Sequence, residues 1–226
     1  MSVKVWVTRD EESGGPLSTA LREVDLEPVL EPVLERHVLT DAADSLAQLG
    51  PDDWLVLTSA YAVNAVHTEL ARIPRVAVVG EPSKLAAEAK GFRVGLISGR
   101  GDGKSLFEEL RGKVGGGKVC YPRSASVWPP KSWPGVDLIS PILYETTTRD
   151  YDRSVVERVD VVSVGSPSAV DAVGVVNLPF ASIGPSTTKA LQRLGIEPWV
   201  EATHRSFASL ARTIADHESP SRHQPA

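Results

Sequence analysis

The chain nearly repeats itself, and this self-similarity constrains its fold more than any bulk property. Residues 55–66 read LVLTSAYAVNAV and residues 162–173 read VSVGSPSAVDAV. With Ser59 set against Ser166, the residues Ala62, Val63, Ala65 and Val66 fall opposite Ala169, Val170, Ala172 and Val173. Farther on, AVVGEPSKLAAEAKG (77–91) matches ASIGPSTTKALQRLG (181–195), with Gly80 and Gly91 at the spacing of Gly184 and Gly195. Leu106 and Leu210 follow at a common offset, and KVWVTR (4–9) is echoed by KVCYPR (118–123). A duplicated set of strand-then-helix units points to two similar lobes with a ligand between them.

The bulk numbers permit two small domains. The chain has 226 residues, of which 42% are apolar and 23% charged, as in ordinary globular proteins. A net charge of −5 argues against nucleic acid as a partner. Acidic small molecules are not excluded, because helix N-termini and local arginines bind them without a positive surface. One cysteine, Cys120, excludes an intramolecular disulfide and fits a reducing compartment. The opening MSVKVWVTRD has no signal-peptide core, and no apolar run is long enough to span a membrane, so a cytoplasmic protein is expected.

Short apolar runs bounded by polar turns predict strands at 3–7, 27–34, 53–59, 75–80, 92–98, 118–122, 137–146, 159–165, 180–184 and 197–201. Helical patterns fill 16–22, 41–49, 60–70, 83–90, 105–111, a stretch from Ser168, 186–194 and 206–217. Asp41 is a candidate N-cap, and Ser105 with Glu108 forms a candidate capping box. The polar tail ESPSRHQPA is expected to be disordered. Alternating strands and helices imply an α/β protein with parallel, doubly wound sheets. The segment 124–135 has three prolines and few helix formers, so it is an abbreviated lobe element.

Four turns share one design, an apolar strand followed by small residues and a helix. They are Thr58-Ser59-Ala60, Gly80-Glu81-Pro82-Ser83, Ser166-Pro167-Ser168 and Gly184-Pro185-Ser186-Thr187. At the carboxyl end of a parallel strand, such a turn offers backbone N–H groups, a helix dipole and hydroxyl donors to an anion. Plain N-capping is the competing reading of each turn. Recurrence in both repeats favours a shared ligand with several carboxylates or phosphates. Arg9 and Arg123 end the first strand of each repeat, where a guanidinium can grip a carboxylate or simply be solvated.

Other constellations carry less. SGRGDGKS (98–105) approaches a phosphate-binding loop, but Ser98 stands where that pattern needs its first glycine. The five histidines show no ligand spacing, so no metal is expected. No Gly-x-Ser-x-Gly elbow occurs. Cys120 lies in an apolar strand and reads as core.

Taken in order, VWVTR, DWLVLTSAYAV, VAVVGEPS, KVCYPRS, ILYET, VGSPSAV and SIGPSTTKAL resemble the uroporphyrinogen-III synthase family over nearly the whole chain. The resemblance implies two flavodoxin-like lobes with parallel sheets flanked by helices, joined by a two-stranded β linker. Lobe one would combine residues 1–33 with 147–226, and lobe two would be 37–142. The linker strands would lie at about 32–36 and 143–146. The implied reaction begins with hydroxymethylbilane, a linear tetrapyrrole with several carboxylates. Its hydroxyl leaves as water, the terminal ring attacks through a substituted carbon, and a spiro intermediate recloses with ring D inverted. No cofactor is implied. A monomer is implied, with transfer of substrate from hydroxymethylbilane synthase as a further expectation.

The same resemblance makes the strand-end turns the expected substrate site. Its residues would be Arg9, Thr58, Ser59, Tyr61, Ala62, Gly80, Ser83, Arg123, Ser124, Ser166, Ser168, Ala169, Ser186 and Thr187. Some family members carry a tyrosine, proposed to assist hydroxide loss, where this chain has Ala172. Tyr144, matching the family's Tyr-x-Thr motif, and Tyr61 are the replacement candidates, with Tyr144 as the catalytic one. A non-catalytic tetrapyrrole- or polyanion-binding two-lobe protein is the alternative, and a nucleotide enzyme built on Gly103-Lys104-Ser105 is a third reading.

Overall fold

A computed structural model describes residues 2–40, 42–66 and 74–217. The first half of the described chain runs β1 (Lys4–Val7), α1 (Pro16–Arg22), β2 (Glu27–Leu30), β3 (Leu34–Val38), α2 (Ala42–Ala47), β4 (Trp54–Leu57), α3 (Ala60–Ala65), β5 (Arg75–Val78), α4 (Glu81–Ala89), β6 (Arg93–Ile97) and α5 (Gly103–Arg111). The second runs β7 (Lys118–Cys120), β8 (Arg123–Ser124), β9 (Asp137–Ile139), β10 (Ile142–Thr148), α6 (Val155–Arg158), β11 (Val161–Val164), α7 (Pro167–Val173), β12 (Phe180–Ser182), α8 (Pro185–Arg193), β13 (Val200–Glu201) and α9 (Phe207–Asp216).

The chain divides into two compact units, Met1–Glu35 with Thr147–Ala226, and Arg36–Thr146. In the first, a five-stranded sheet has the order β13-β12-β11-β1-β2; in the second the order is β6-β5-β4-β7-β9. Every pairing within both sheets is parallel. The two orders are the same once repeats are matched, but each sheet takes strands from both repeats. The first unit uses β1 and β2 of the first repeat with β11, β12 and β13 of the second. The second unit does the reverse.

Each sheet buries both faces, as parallel sheets must. On β1, Val5 and Val7 pack beside Leu17, Leu21 and Leu210 of α1 and α9, while Trp6 faces Val170 and Leu191 of α7 and α8. On β4, Leu55 and Leu57 pack with Leu46, Val63 and Ala87, while Trp54 and Val56 pack with Leu106 and Leu110 of α5. The period of two that sends neighbouring residues to opposite faces is therefore apolar throughout.

One polar device recurs in both units. Asp53 accepts the Lys118 N–H through Oδ1 at 2.7 Å and the Gly50 N–H through Oδ2 at 2.7 Å. Asp160 accepts the Lys4 N–H at 2.9 Å. These aspartates precede β4 and β11, and the lysines open β7 and β1, so each carboxylate ties a strand of one repeat to a strand of the other. Gly117, at φ +90°, is needed beside the first tie, because an added Cβ would come within 2.9 Å of Asp53 Oδ1.

Several expected boundaries move, each for a local reason. The strand expected over 27–34 is two strands: the Glu31 N–H still reaches the Val7 carbonyl at 3.3 Å, but the Val33 N–H reaches that of Thr8 at 3.0 Å, so the regular register with β1 is lost around Pro32. The strand expected over 137–146 also splits, and the Pro141 carbonyl at the break accepts the Arg123 N–H at 3.0 Å. That contact helps dock β8, which makes β3, β10 and β8 a three-stranded sheet rather than a linker pair. The unit boundaries fall inside β3 and β10. Helices α4, α7 and α8 begin earlier than expected, with proline in the first turn, where its missing N–H costs nothing. The short helix α6 was not expected.

Helix α3 ends at Ala65, where Lys90 Nζ donates to the carbonyls of Asn64 at 2.6 Å and Val66 at 2.9 Å. The rest of the helix expected to residue 70, the Asp41 cap and the polar tail lie outside the described residues. The capping box at Ser105 is replaced by a cap one turn earlier. Asp102 accepts the Ser105 N–H at 2.8 Å and the Ser105 hydroxyl at 3.0 Å. These hydrogen bonds hold the Asp102 carboxyl below the usual carboxylate range.

Candidate functional site

In the second unit, β4, β5 and β7 are parallel neighbours, so their carboxyl ends share one edge. Thr58 and Ser59 lie just beyond β4, Gly80 beyond β5, and Arg123 and Ser124 beyond β7. Ser59 caps α3, its hydroxyl oxygen accepting the Ala62 N–H at 3.1 Å. Ala62 itself is buried in the core. Gly80 caps α4 with backbone alone, and Ser83 is buried in that helix's first turn. The Thr58 hydroxyl lies 3.5 Å from the Tyr121 hydroxyl. Tyr121 stacks edge-on with Phe107, which in turn meets Trp133. Trp133 is the buried anchor of the abbreviated segment.

The structure brings Tyr61 and Tyr144 together. Their rings stand edge to face with centroids 4.7 Å apart. The Arg36 guanidinium lies 4.8 Å from the centre of the Tyr61 ring, a geometry in which the cation meets the ring's negative face. Both tyrosines pack partly buried against the Leu55–Leu143 core. A phenol is chemically able to donate a proton to a departing hydroxyl.

In the first unit, Ser166 lies beyond β11 and Gly184 beyond β12, again neighbours in a parallel sheet. Ser166 accepts the Ala169 N–H at 3.2 Å, as Ser59 does in the other unit. Ala169 is core, whereas Ser168 and Ser186 are exposed. The Thr187 hydroxyl, in the first turn of α8, is buried and has no hydrogen-bond partner among the described residues. Next to it the Thr188 hydroxyl contacts the Ser182 hydroxyl at 2.6 Å and donates to Glu201. Ala172 packs partly buried against the α7–α8 side of the core.

Arg9 and Arg123 diverge. Arg9 Nε is 2.8 Å from the nearly buried Glu11 carboxylate, and its guanidinium lies 4.3 Å from the centre of the Phe207 ring. Glu11 also accepts the Ser18 N–H and hydroxyl, each at 2.7 Å, so it fills the start of α1 with the chain's own anion. The Glu11 cap escapes sequence reading because it reaches its helix across a turn, outside the usual capping spacing. Arg123 instead donates through Nη1 to the carbonyls of Ser124 at 3.2 Å and Val127 at 2.6 Å. The Ser124 and Ser126 hydroxyls are 3.0 Å apart.

In the loop at 98–105 the Gly99 and Ser105 N–H groups donate to carboxylates of the chain itself. Asp102 caps its helix, Glu109 takes the Gly99 N–H at 3.1 Å, and Lys104 is exposed with Glu108 4.0 Å away. Among the described residues no cluster of His, Cys, Asp or Glu is gathered as a metal site, and no helix is long and apolar enough to cross a membrane. Burial pushes the Cys120 thiol up to about 12, so it is no nucleophile at neutral pH.

The family sequence model described as "Uroporphyrinogen-III synthase HemD" matches residues 15–212. No curated protein matches the chain. Among solved structures, a mutant uroporphyrinogen III synthase from the extremely thermophilic bacterium Thermus thermophilus is 16% identical, with 93% of this chain and 96% of that one covered and a TM-score of 0.47. The wild-type protein from the same organism is 17% identical, with 95% and 97% covered and a TM-score of 0.41.

Proposed function

The chain belongs to the uroporphyrinogen-III synthase family, and on that premise we propose that it closes hydroxymethylbilane into uroporphyrinogen III through the strand-end turns of its two units. The reaction is that of a hydro-lyase: one water leaves, the ring closes, and ring D is inverted. The observation that carries the site is the duplicated edge. Ser59 and Ser166 cap equivalent helices, and Gly80 and Gly184 open the next ones with bare backbone. Their hydroxyls and N–H groups are suited to substrate carboxylates, and the buried Thr187 hydroxyl has hydrogen-bonding capacity to spare.

The chemistry asks mainly for orientation, because the linear substrate closes unaided to the wrong isomer. Holding its ends in one geometry selects the product. We assign the proton for the departing hydroxyl to Tyr144, supported by its edge-to-face contact with Tyr61, whose own ring meets the Arg36 guanidinium. We further propose a cytoplasmic monomer that receives substrate from hydroxymethylbilane synthase. Sedimentation of the pure protein, alone and with that enzyme, tests the last two points.

The function is tested by a coupled assay. Porphobilinogen and its deaminase supply the substrate, and the products are oxidised and separated as uroporphyrin isomers. Isomer III in excess over a control without the protein is the expected result. Isomer I alone, from folded protein, overturns the synthase reading.

A further inference from the structure

A cavity of about 390 Å³ opens beside β8, lined chiefly by Arg123, Ser126, Val127, Trp128, Pro129 and Ile142. Its most unusual feature is Trp128, which is 90% exposed. An indole is a large apolar surface to leave in water, and its flat face suits a second ring. Two prolines follow it, and a residue before proline is biased toward extended backbone. A turn below it is closed by the Val127 N–H to the Ser124 carbonyl at 3.1 Å. The Arg123 guanidinium is pinned to the same turn through Nη1.

Electrostatics single the cavity out. The chain carries a net charge of −5, so a polyanionic substrate must find cations locally. The matching arginine of the other repeat, Arg9, is already beside the Glu11 carboxylate. The residues lining this cavity include no carboxylate. The cavity also lies past the end of β7, on the edge that carries Thr58, Ser59 and Gly80. Its volume is at the low end for ligand pockets, enough for one substituted ring and not for a whole tetrapyrrole.

We propose that this cavity is a single-pyrrole subsite, in which Trp128 stacks on one ring of the substrate and Arg123 pairs with a carboxylate of that ring. The proposal rests on the synthase reading and adds a specificity residue to it. Trp128 touches no core cluster, so its replacement leaves the fold intact. In the coupled assay, Trp128→Ala should raise KM about 3- to about 10-fold with kcat little changed, in line with the loss of one aromatic contact. Trp128→Phe should stay within about twofold of the wild type, since it keeps a ring. The affinity of the pure protein for uroporphyrin III, read by calorimetry, should fall by the same factor in Trp128→Ala and become less salt-dependent in Arg123→Gln. Unchanged KM and uroporphyrin affinity in Trp128→Ala would overturn the subsite while the synthase stands. Isomer I alone from the wild type would overturn the synthase, and the uroporphyrin titration would then decide the subsite by itself.

Discussion

The tie made by Asp53 is the most direct test of how the two repeats are joined. Asp53→Ala removes the acceptor of two backbone N–H groups, those of Lys118 and Gly50. Hydrogen bonds to a charged group are worth roughly 1.5–3 kcal/mol each, and partial exposure lets water recover part of that. The net loss should therefore be about 2–4 kcal/mol, taken from the seam between β4 and β7. Cys120 makes that seam measurable. It is the chain's one cysteine, it sits on β7, and it is fully buried with its thiol pushed up to about 12. Alkylation at mildly alkaline pH then requires β7 to open and release a thiol of ordinary acidity. When opening is a fast pre-equilibrium, the labelling rate should rise about 30-fold to about 1,000-fold in Asp53→Ala, at about 1.4 kcal/mol per factor of ten. Asp53→Asn, which keeps one acceptor oxygen, should fall between. Asp52→Ala is the control, because Asp52 is exposed and its nearest cation, on Arg75, is 3.9 Å away. Equal labelling in Asp53→Ala and Asp52→Ala would refute the claim that this carboxylate closes the seam.

Three further outcomes are expected. Tyr144→Phe should lower kcat about 10²-fold or more while leaving KM nearly unchanged, as expected for loss of a general acid; equal effects from Tyr144→Phe and Tyr61→Phe on KM alone would make the pair a packing contact. Gly15→Ala places a Cβ 2.6 Å from Glu11 Cδ, so it should dislodge the α1 cap and cost about 1–2 kcal/mol, read as a fall in Tm. The Asp102 carboxyl is held low first by the Ser105 backbone N–H and then by its hydroxyl, so its contribution is complete above the unfolded carboxylate value, about pH 4, and is lost as pH falls through the lower folded value; Asp102→Asn should flatten that part of the stability profile in acid titration followed by circular dichroism.

Much of the fold was legible because its signals are local. Apolar runs such as WLVL and VVSV are strands buried on both faces, and a serine at their ends with an apolar helical stretch after it reads as strand, cap and helix. The caps at Ser59 and Ser166 are of this kind. What escaped depends on partners distant in sequence or on unusual reach. Asp102 displaced Ser105 as the cap because two acceptable cap residues lie three positions apart and only the backbone path chooses between them. Glu11 reaches α1 across the turn at Gly14 and Gly15, and in doing so it meets Arg9. Strand β8 is two residues long, too short for any periodicity. The pairing of Tyr61 with Tyr144 needs β10 to lie against the core that α3 covers, which no local pattern states.

The deepest point on which the residue pattern was silent, and only the family resemblance spoke, is which copy pairs with which. A repeat shows that two sheets of one design exist, but matching residues are by construction equally suited to either partner. Pattern alone would fold each repeat on itself. The observed sheets instead seat β1 beside β11 and β7 beside β4, and the choice is made by the chain between them. After β2 the regular register with β1 is lost around Pro32 and the chain leaves as β3; after β9 the chain passes Pro141, whose carbonyl still accepts the Arg123 N–H, and leaves as β10. These exits lie at matching points of the two repeats, so each unit is left with two strands of one copy and must be completed by three of the other. The Asp–Lys ties form across that join in both units. A consequence for the site follows from topology alone: the edge of each unit mixes residues from both repeats, Arg123 with Ser59 in one and Arg9 with Ser166 in the other. Divergence between the repeats then differentiates the two edges. Arg9 acquired an internal anion in Glu11, while Arg123 has a turn, a cavity and an exposed indole beside it.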